Sequence, residues 1–301
     1  MDDWTIYSLL KNHATLLRIM FYRCRQLQIS LNLKKCIFAV PFGTLLGHVV
    51  CKQGVCVDPA KVAVTVHMEA PKTVKQLRAL LGHTGYYRQF IRNYAKITAP
   101  LEKLLRKSEA FEWTAECRKA LDILKEKLAT TPILVHPNWD KQFHVHIDAS
   151  DIALGVVLAQ PKETTVDHPV YFASRRLSNA EKNYTTTEQE ALAMVYSLQK
   201  FRHYLLGGKF TFFTDHSALK YLVNKPVLEG RMCRWLLPFQ EFTFEVIFKP
   251  GRLNVGPNHL SRLETGENEG SLDDQLPDAD LFRVEAVPDY LANIATYLTT
   301  G

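Results

Sequence analysis

The sequence has 301 residues, 47% of them hydrophobic and 11% aromatic, which is enough to bury a sizeable core and to form two domains. Its formal charge of +6 favours an anionic partner, though only weakly at this magnitude. The composition excludes a chain disordered as a whole. No apolar run is long enough to span a bilayer and no basic-then-apolar leader opens the sequence, so a soluble cytoplasmic or nuclear setting is expected. Six cysteines (Cys24, Cys36, Cys51, Cys56, Cys117 and Cys233) lack Cys-x-x-Cys or metal-ligand spacing and read as reduced residues.

Met1-Asp2-Asp3-Trp4 places two adjacent acids before a short apolar stretch to Leu10, in the pattern of a strand-turn-strand cut at its tip. Residues 13 to 28 carry His13, Leu16, Leu17, Met20, Phe21, Cys24 and Leu27 at helical spacing, with Arg18, Arg23 and Arg25 interleaved, and predict an amphipathic helix. Lys34 to Val40 and Leu45 to Val50, with Pro41 and Gly43 between them, predict a hairpin, and a turn at Gly54 leads into Val55 to Val57. Asp58-Pro59 opens a short helix that Pro71 ends, and Thr73 with Gln76 forms a capping box for a helix from Val74 to Leu81.

From Gly82 to Leu105 the chain mixes aromatic and basic residues: Tyr86, Tyr87, Arg88, Phe90, Arg92, Tyr94 and Lys96. Such a run can grip a phosphate backbone with aromatic support, and Tyr86, Arg88 and Arg92 are candidate nucleic-acid contacts. The competing reading is a helical hairpin whose aromatics are core and whose cations are solvated. Thr114 caps a further helix with Cys117, Leu121, Leu124 and Leu128 on one face, closed by Pro132.

A second domain begins near Ile133. Val145 and Ile147 alternate with His144, His146 and Asp148, the period of a strand, and a turn of small residues leads into a second apolar run ending at Leu158. After a polar loop (Lys162 to His168) come a strand at Val170 to Ala173, a helix from Thr187 to Leu205, and a strand from Phe210 to Thr214 that ends in Asp215. A short helix at Ala218 to Val223 and a fifth strand from Phe242 to Phe248 follow. Asn254 to Arg262 reads as a loop into a last helix, with Pro257 in its first turn. Beyond Leu263 acids dominate up to Arg283, with Gly266, Gly270 and Pro277 among them, and predict a linker ahead of a last amphipathic segment at Tyr290 to Leu298.

Carboxylates at the ends of neighbouring central strands are costly to bury unless paired or metal-bound. Asp148, Asp215 and an acid of the intervening helix, Glu188 or Glu190, can converge at one end of the sheet, and periodicity does not choose between the two glutamates. Clustered oxygen ligands suit Mg²⁺ or Mn²⁺ rather than zinc, and two such ions support phosphodiester hydrolysis. His216 reads as a supporting residue rather than a ligand.

The segments His-Ile-Asp-Ala-Ser-Asp, Phe-Ala-Ser-Arg-Arg-Leu, Glu-Lys-Asn-Tyr-Thr-Thr-Thr-Glu-Gln-Glu-Ala-Leu-Ala, Lys-Phe-Arg-His-Tyr-Leu-Leu-Gly, Phe-Thr-Asp-His and Asn-Val-Gly-Pro-Asn-His-Leu-Ser-Arg closely resemble the ribonuclease H domain of gypsy-type LTR retrotransposon polyproteins. Upstream, Leu46-Gly47-His48-Val49-Val50, Asp58-Pro59-Ala60-Lys61 and Gly85-Tyr86-Tyr87-Arg88-Gln89-Phe90-Ile91 look like the end of a reverse transcriptase palm with its primer-grip hairpin, followed by the thumb.

The resemblance implies an α/β fold. A ribonuclease H-like mixed five-stranded sheet with flanking helices would follow an α+β palm remnant and a helical thumb. It divides the chain into a palm end (1–57), thumb and connecting helices (58–132), a ribonuclease H-like domain (133–263) and an acidic linker with a partial C-terminal segment (264–301). It selects Glu190 as the helix acid. It also implies two Mg²⁺ or Mn²⁺ ions on Asp148, Glu190 and Asp215, an RNA-DNA hybrid as partner, and a parent polyprotein carrying protease, polymerase core and integrase.

The sequence departs from the family at two places. Asp2 and Asp3 look like the remnant of the polymerase Tyr/Phe-x-Asp-Asp motif without the residues that precede it, so polymerisation is expected only of an intact parent. Asn258 stands where the family has Asp, which weakens one metal site and leaves the other. The implied activity is metal-dependent cleavage of the RNA strand of a hybrid; the alternative is a decayed element fragment that only binds nucleic acid.

Overall fold

Asp58, Thr73, Thr114 and Thr185 each cap a helix, and the four caps set the helical framework. In a computed structural model, residues 5–6, 8, 10–38, 40–106, 110–161, 166–216, 219 and 237–249 are described. Helix α1 is Leu10–Gln26. A three-stranded antiparallel sheet follows, with β1 Phe42–Leu45, β2 His48–Cys51 and β3 Val55–Val57. Helices α2 (Pro59–His67), α3 (Val74–Tyr86), α4 (Tyr94–Ile97), α5 (Ala99–Lys103) and α6 (Ala115–Ala129) come next.

The larger sheet contains β4 Phe143–Ala149, β5 Ala153–Pro161, β6 Asp167–Arg176, β7 Lys209–Thr214 and β8 Thr243–Phe248, with helices α7 (Thr186–Lys200) and α8 (Arg202–Leu205) between β6 and β7. Its order is β6-β5-β4-β7-β8. The β4–β5 and β5–β6 pairs are antiparallel, whereas β4–β7 and β7–β8 are parallel. This is the mixed five-stranded sheet that the sequence predicts.

Several boundaries are corrected. The first hairpin uses 42–45 rather than 34–40, where Leu33–Lys35 forms a single 3₁₀ turn. Its turn is Leu46-Gly47, both at positive φ (45° and 71°), a backbone pattern that matches strand twist but lacks the usual Asn-Gly signal. The helix opened by Asp58 ends at His67, before Pro71. Thr73 accepts from the Gln76 amide, but the Gln76 side chain accepts from Lys72 N at 2.7 Å, so only half of the predicted box forms. The predicted helix 187–205 breaks at Phe201, whose buried ring packs under the sheet. The third strand starts at Asp167, inside the predicted loop. The predicted final helix, the linker and Tyr290 to Leu298 lie outside the described residues, as does most of the predicted helix 218–223.

Strand β5 is buried along most of its length because both faces of the sheet are covered. On one face Leu154, Val156 and Leu158 join Val145, Ile147, Phe210 and Phe212 against Ala191, Met194, Val195 and Leu198 of α7. Each fully buried Leu or Phe of this kind stabilises the fold by about 1.5–3 kcal/mol. On the other face Val157 and Phe172 meet Tyr87, Phe90, Ile91, Tyr94, Leu124, Leu128 and Leu134. The helical region upstream of residue 133 therefore packs directly on the sheet. A third cluster, with Leu77, Leu80, Leu101, Leu104 and Leu121, holds that region together. Among the described residues no helix is long and apolar enough to cross a membrane, and Cys24, Cys36, Cys51, Cys56 and Cys117 are free thiols.

Candidate active site

Asp148 ends the alternating face of β4. Its register partner on β5 is Gly155, and the partner of Gly155 on β6 is Ser174, so Asp148, Gly155 and Ser174 form one row across three strands. On the other side, the parallel register pairs Phe143 with Phe210 and His146 with Phe213, two residues before Asp148 and Asp215, and both acids act on Glu190. The Asp148 side chain is 45% exposed, Asp215 is exposed, and Glu190 is buried, so the acids run from solvent into the protein.

Glu188 and Glu190 separate by role. Glu188 completes a capping box, accepting from Thr185 N at 2.9 Å and from Thr185 Oγ1 at 3.0 Å. Glu190, two residues on, faces the sheet and accepts from Ala149 N at 3.2 Å through Oε1. Its Oε2 is buried and has no hydrogen-bond partner. Burial pushes the Glu190 carboxyl up to about 7, and the charges of Asp215 and Asp148 add to the rise. Among the described residues no three His, Cys, Asp or Glu side chains already form a metal-binding group.

Arg92 and Asn93 reach Asp148 from the upstream region. Arg92 Nη2 lies 3.4 Å from Asp148 Oδ2, and Asn93 Nδ2 donates to the same oxygen at 3.3 Å. The sequence offered Arg92 as a nucleic-acid contact and gave no sign of its tie to Asp148, 56 residues away. Tyr86 is 48% exposed, but its hydroxyl donates to the Leu46 carbonyl and Lys61 sits 5.6 Å over its ring. Arg88 is exposed. Tyr87, Phe90 and Tyr94 are core residues. The stretch thus divides: most of its aromatics are structural, Arg88 and Lys96 face solvent, and Arg92 turns toward a carboxylate. Asp2, Asp3 and Asn258 lie outside the described residues.

His216 Nε2 is 2.9 Å from Thr187 Oγ1, tying the loop after β7 to the start of α7. Behind Asp148, His144 Nδ1 and His146 Nε2 each donate to Asp167 at 2.7 Å. These two bonds, outweighing burial, hold the Asp167 carboxyl well below the usual range. Burial lowers the His146 pKa, and its Nδ1 is buried with no hydrogen-bond partner. Alternation placed both histidines on one face, but Asp167 lay in the stretch read as a loop.

Residues 138–242 match the family model of the RNase H-like domain found in reverse transcriptase. The chain is 36% identical over 273 residues to the retrovirus-related Pol polyprotein from transposon 297 of Drosophila melanogaster, covering 90% of this chain and 25% of that protein. It is 34% identical over 295 residues to the Pol polyprotein from transposon opus of the same organism (93% and 29%) and 29% identical over 304 residues to the Tf2-3 polyprotein of Schizosaccharomyces pombe (96% and 23%). The chain thus spans about a quarter of the length of these relatives.

Among solved structures, foamy viral protease-reverse transcriptase in complex with RNA/DNA hybrid shares the fold, with TM-score 0.68 and 20% identity, covering 90% of this chain and 36% of that one. The dRH form of that protein in complex with double-stranded DNA gives the same TM-score and identity over 81% and 44%. Residues 138–242 thus match an RNase H-like domain of the kind found in reverse transcriptase, and over most of its length the chain is similar to a portion of retrotransposon Pol polyproteins.

Proposed function

We propose that the chain is a metal-dependent endonuclease that cleaves the RNA strand of RNA-DNA hybrids, with Asp148, Glu190 and Asp215 as its metal-binding carboxylates. The observation that carries this reading is Glu190, a buried carboxylate with one oxygen unpartnered and its acidity weakened first by burial and then by the charges of Asp215 and Asp148. A hard divalent cation fits that set, since it would satisfy the orphan oxygen and offset the repulsion among the acids. When bound, Mg²⁺ or Mn²⁺ activates water and steadies the departing oxygen of a phosphodiester.

The protein's own part is placement. The parallel strands β4 and β7 lead toward Asp148 and Asp215, and the Ala149 amide holds one Glu190 oxygen. Asn258 is assigned as a fourth, weaker ligand because an amide oxygen coordinates without charge. Residues 1–57 would form the palm end, 58–132 the thumb and connecting helices, 133–263 the nuclease and 264–301 a linker. The exposed Arg88 and the edge of Tyr86 would touch the hybrid backbone without reading its sequence.

The test is incubation of a hybrid, labelled on its RNA strand, with the 301-residue chain in Mg²⁺, in Mn²⁺ and in a chelator. Cleavage is expected with either ion and not with the chelator, and Asn258→Asp is expected to raise it. Silence from both the unaltered chain and Asn258→Asp would overturn the nuclease reading and leave the chain a nucleic-acid-binding remnant.

A further inference from the structure

Gly155 stands between Asp148 and Ser174 in the row across β4, β5 and β6, and its missing side chain leaves a trough in the face of the sheet. Asn93 fills it. A Cβ on Gly155 would collide with Asn93 Oδ1, so this contact requires glycine. Asn93 itself has φ 54°, the left-handed conformation that Asn tolerates better than most residues, and it starts α4. Two bonds seat the finger at opposite ends of the row: Asn93 Nδ2 donates to Asp148 Oδ2 at 3.3 Å, and Ala95 N donates to Ser174 Oγ at 2.9 Å. Phe90, Ile91 and Tyr94 anchor its flanks in the core shared with Phe172. Arg92, with 12% of its side chain exposed, places a second donor at the same Asp148 oxygen.

From this geometry we infer that Asn93 is a positioning residue for Asp148, supported by Arg92, so that the nuclease site is composite and extends beyond the matched domain at 138–242. The inference rests on the reading of Asp148 as a metal-binding carboxylate. Two donors on Oδ2 fix the carboxylate rotamer and leave Oδ1 for a cation. Donors behind a ligand of this kind typically change metal affinity by about 10- to 100-fold when removed.

The test is a Mn²⁺ titration of the full chain followed by the EPR signal of the free ion, beside Asn93→Gly, Gly155→Ala and Asp148→Asn. Asn93→Gly removes the carboxamide yet keeps the left-handed backbone, whereas Gly155→Ala expels the carboxamide from the trough. Both are expected to weaken Mn²⁺ binding by about 10-fold or more, with an unfolding midpoint for Asn93→Gly close to that of the unaltered chain. Asn93→Gly decides the matter alone if Gly155→Ala does not fold. Unchanged or tighter binding by Asn93→Gly, with binding lost in Asp148→Asn, would overturn the positioning role and leave the metal site standing. Full binding by Asp148→Asn, or none by the unaltered chain, would overturn both readings.

Discussion

Asp148→Asn is expected to reduce hybrid cleavage by more than about a hundredfold, since even the outer partners of a metal site contribute 10- to 100-fold and this group would ligate directly. The amide keeps the shape of the carboxylate and can still accept from Asn93, so the fold and the affinity for nucleic acid should survive. Glu190→Gln should behave alike in activity. It also removes a buried charge that its neighbours oppose, so its thermal stability should match or exceed that of the unaltered chain. Gel cleavage, hybrid binding and thermal unfolding together check this. Loss of binding in step with cleavage would assign Asp148 to the grip on the hybrid rather than to chemistry.

Gly54→Ala carries the largest expected cost to stability. Gly54 has φ 153°, and a Cβ there would fall on the backbone oxygen of Leu134. That oxygen already accepts from Val55 N at 2.8 Å, while Leu134 N donates to Val55 O at 3.0 Å, so the clash lands on the bridge joining the small sheet to the lead-in of the large one. The backbone on either side is fixed, and relief requires breaking that bridge. Strain and clash together should cost about 2–4 kcal/mol, lowering the unfolding midpoint by roughly 5 to 15 °C. Circular dichroism against temperature measures this. A shift of less than about 1 °C would show that the bridge opens freely and contributes little to stability.

Local signals carried the framework well. Period-two alternation placed β4 and β8, and the caps at Asp58, Thr73 and Thr114 have their bonds in the structure. Asp148 and Asp215 were legible as strand-end acids because the residues before them alternate or are apolar. The less legible parts depend on tertiary geometry. The hairpin turn at Leu46-Gly47 uses a positive φ on leucine, which no propensity favours. Periodicity put both Glu188 and Glu190 to the side of the apolar stripe; only the closed capping box around one and the end of β4 beside the other separate them. Asn93 gave no signal at all. Its role exists because α4 lies across β5 at a glycine, a relation between residues 62 positions apart. The apolar run ending at Leu158 was readable as a strand, but its burial on both faces follows from upstream helices packing on the sheet.

The central claim is that this chain cuts the RNA strand of a hybrid at a site built on Asp148. The most direct measurement labels each strand of an RNA-DNA hybrid separately, adds a DNA duplex of the same sequence, and follows all three with the unaltered chain and with Asp148→Asn in Mn²⁺. The account predicts shortened RNA, intact DNA in both the hybrid and the duplex, and no shortening with Asp148→Asn. Equal RNA cleavage by Asp148→Asn, or cutting of DNA in the duplex, would contradict it.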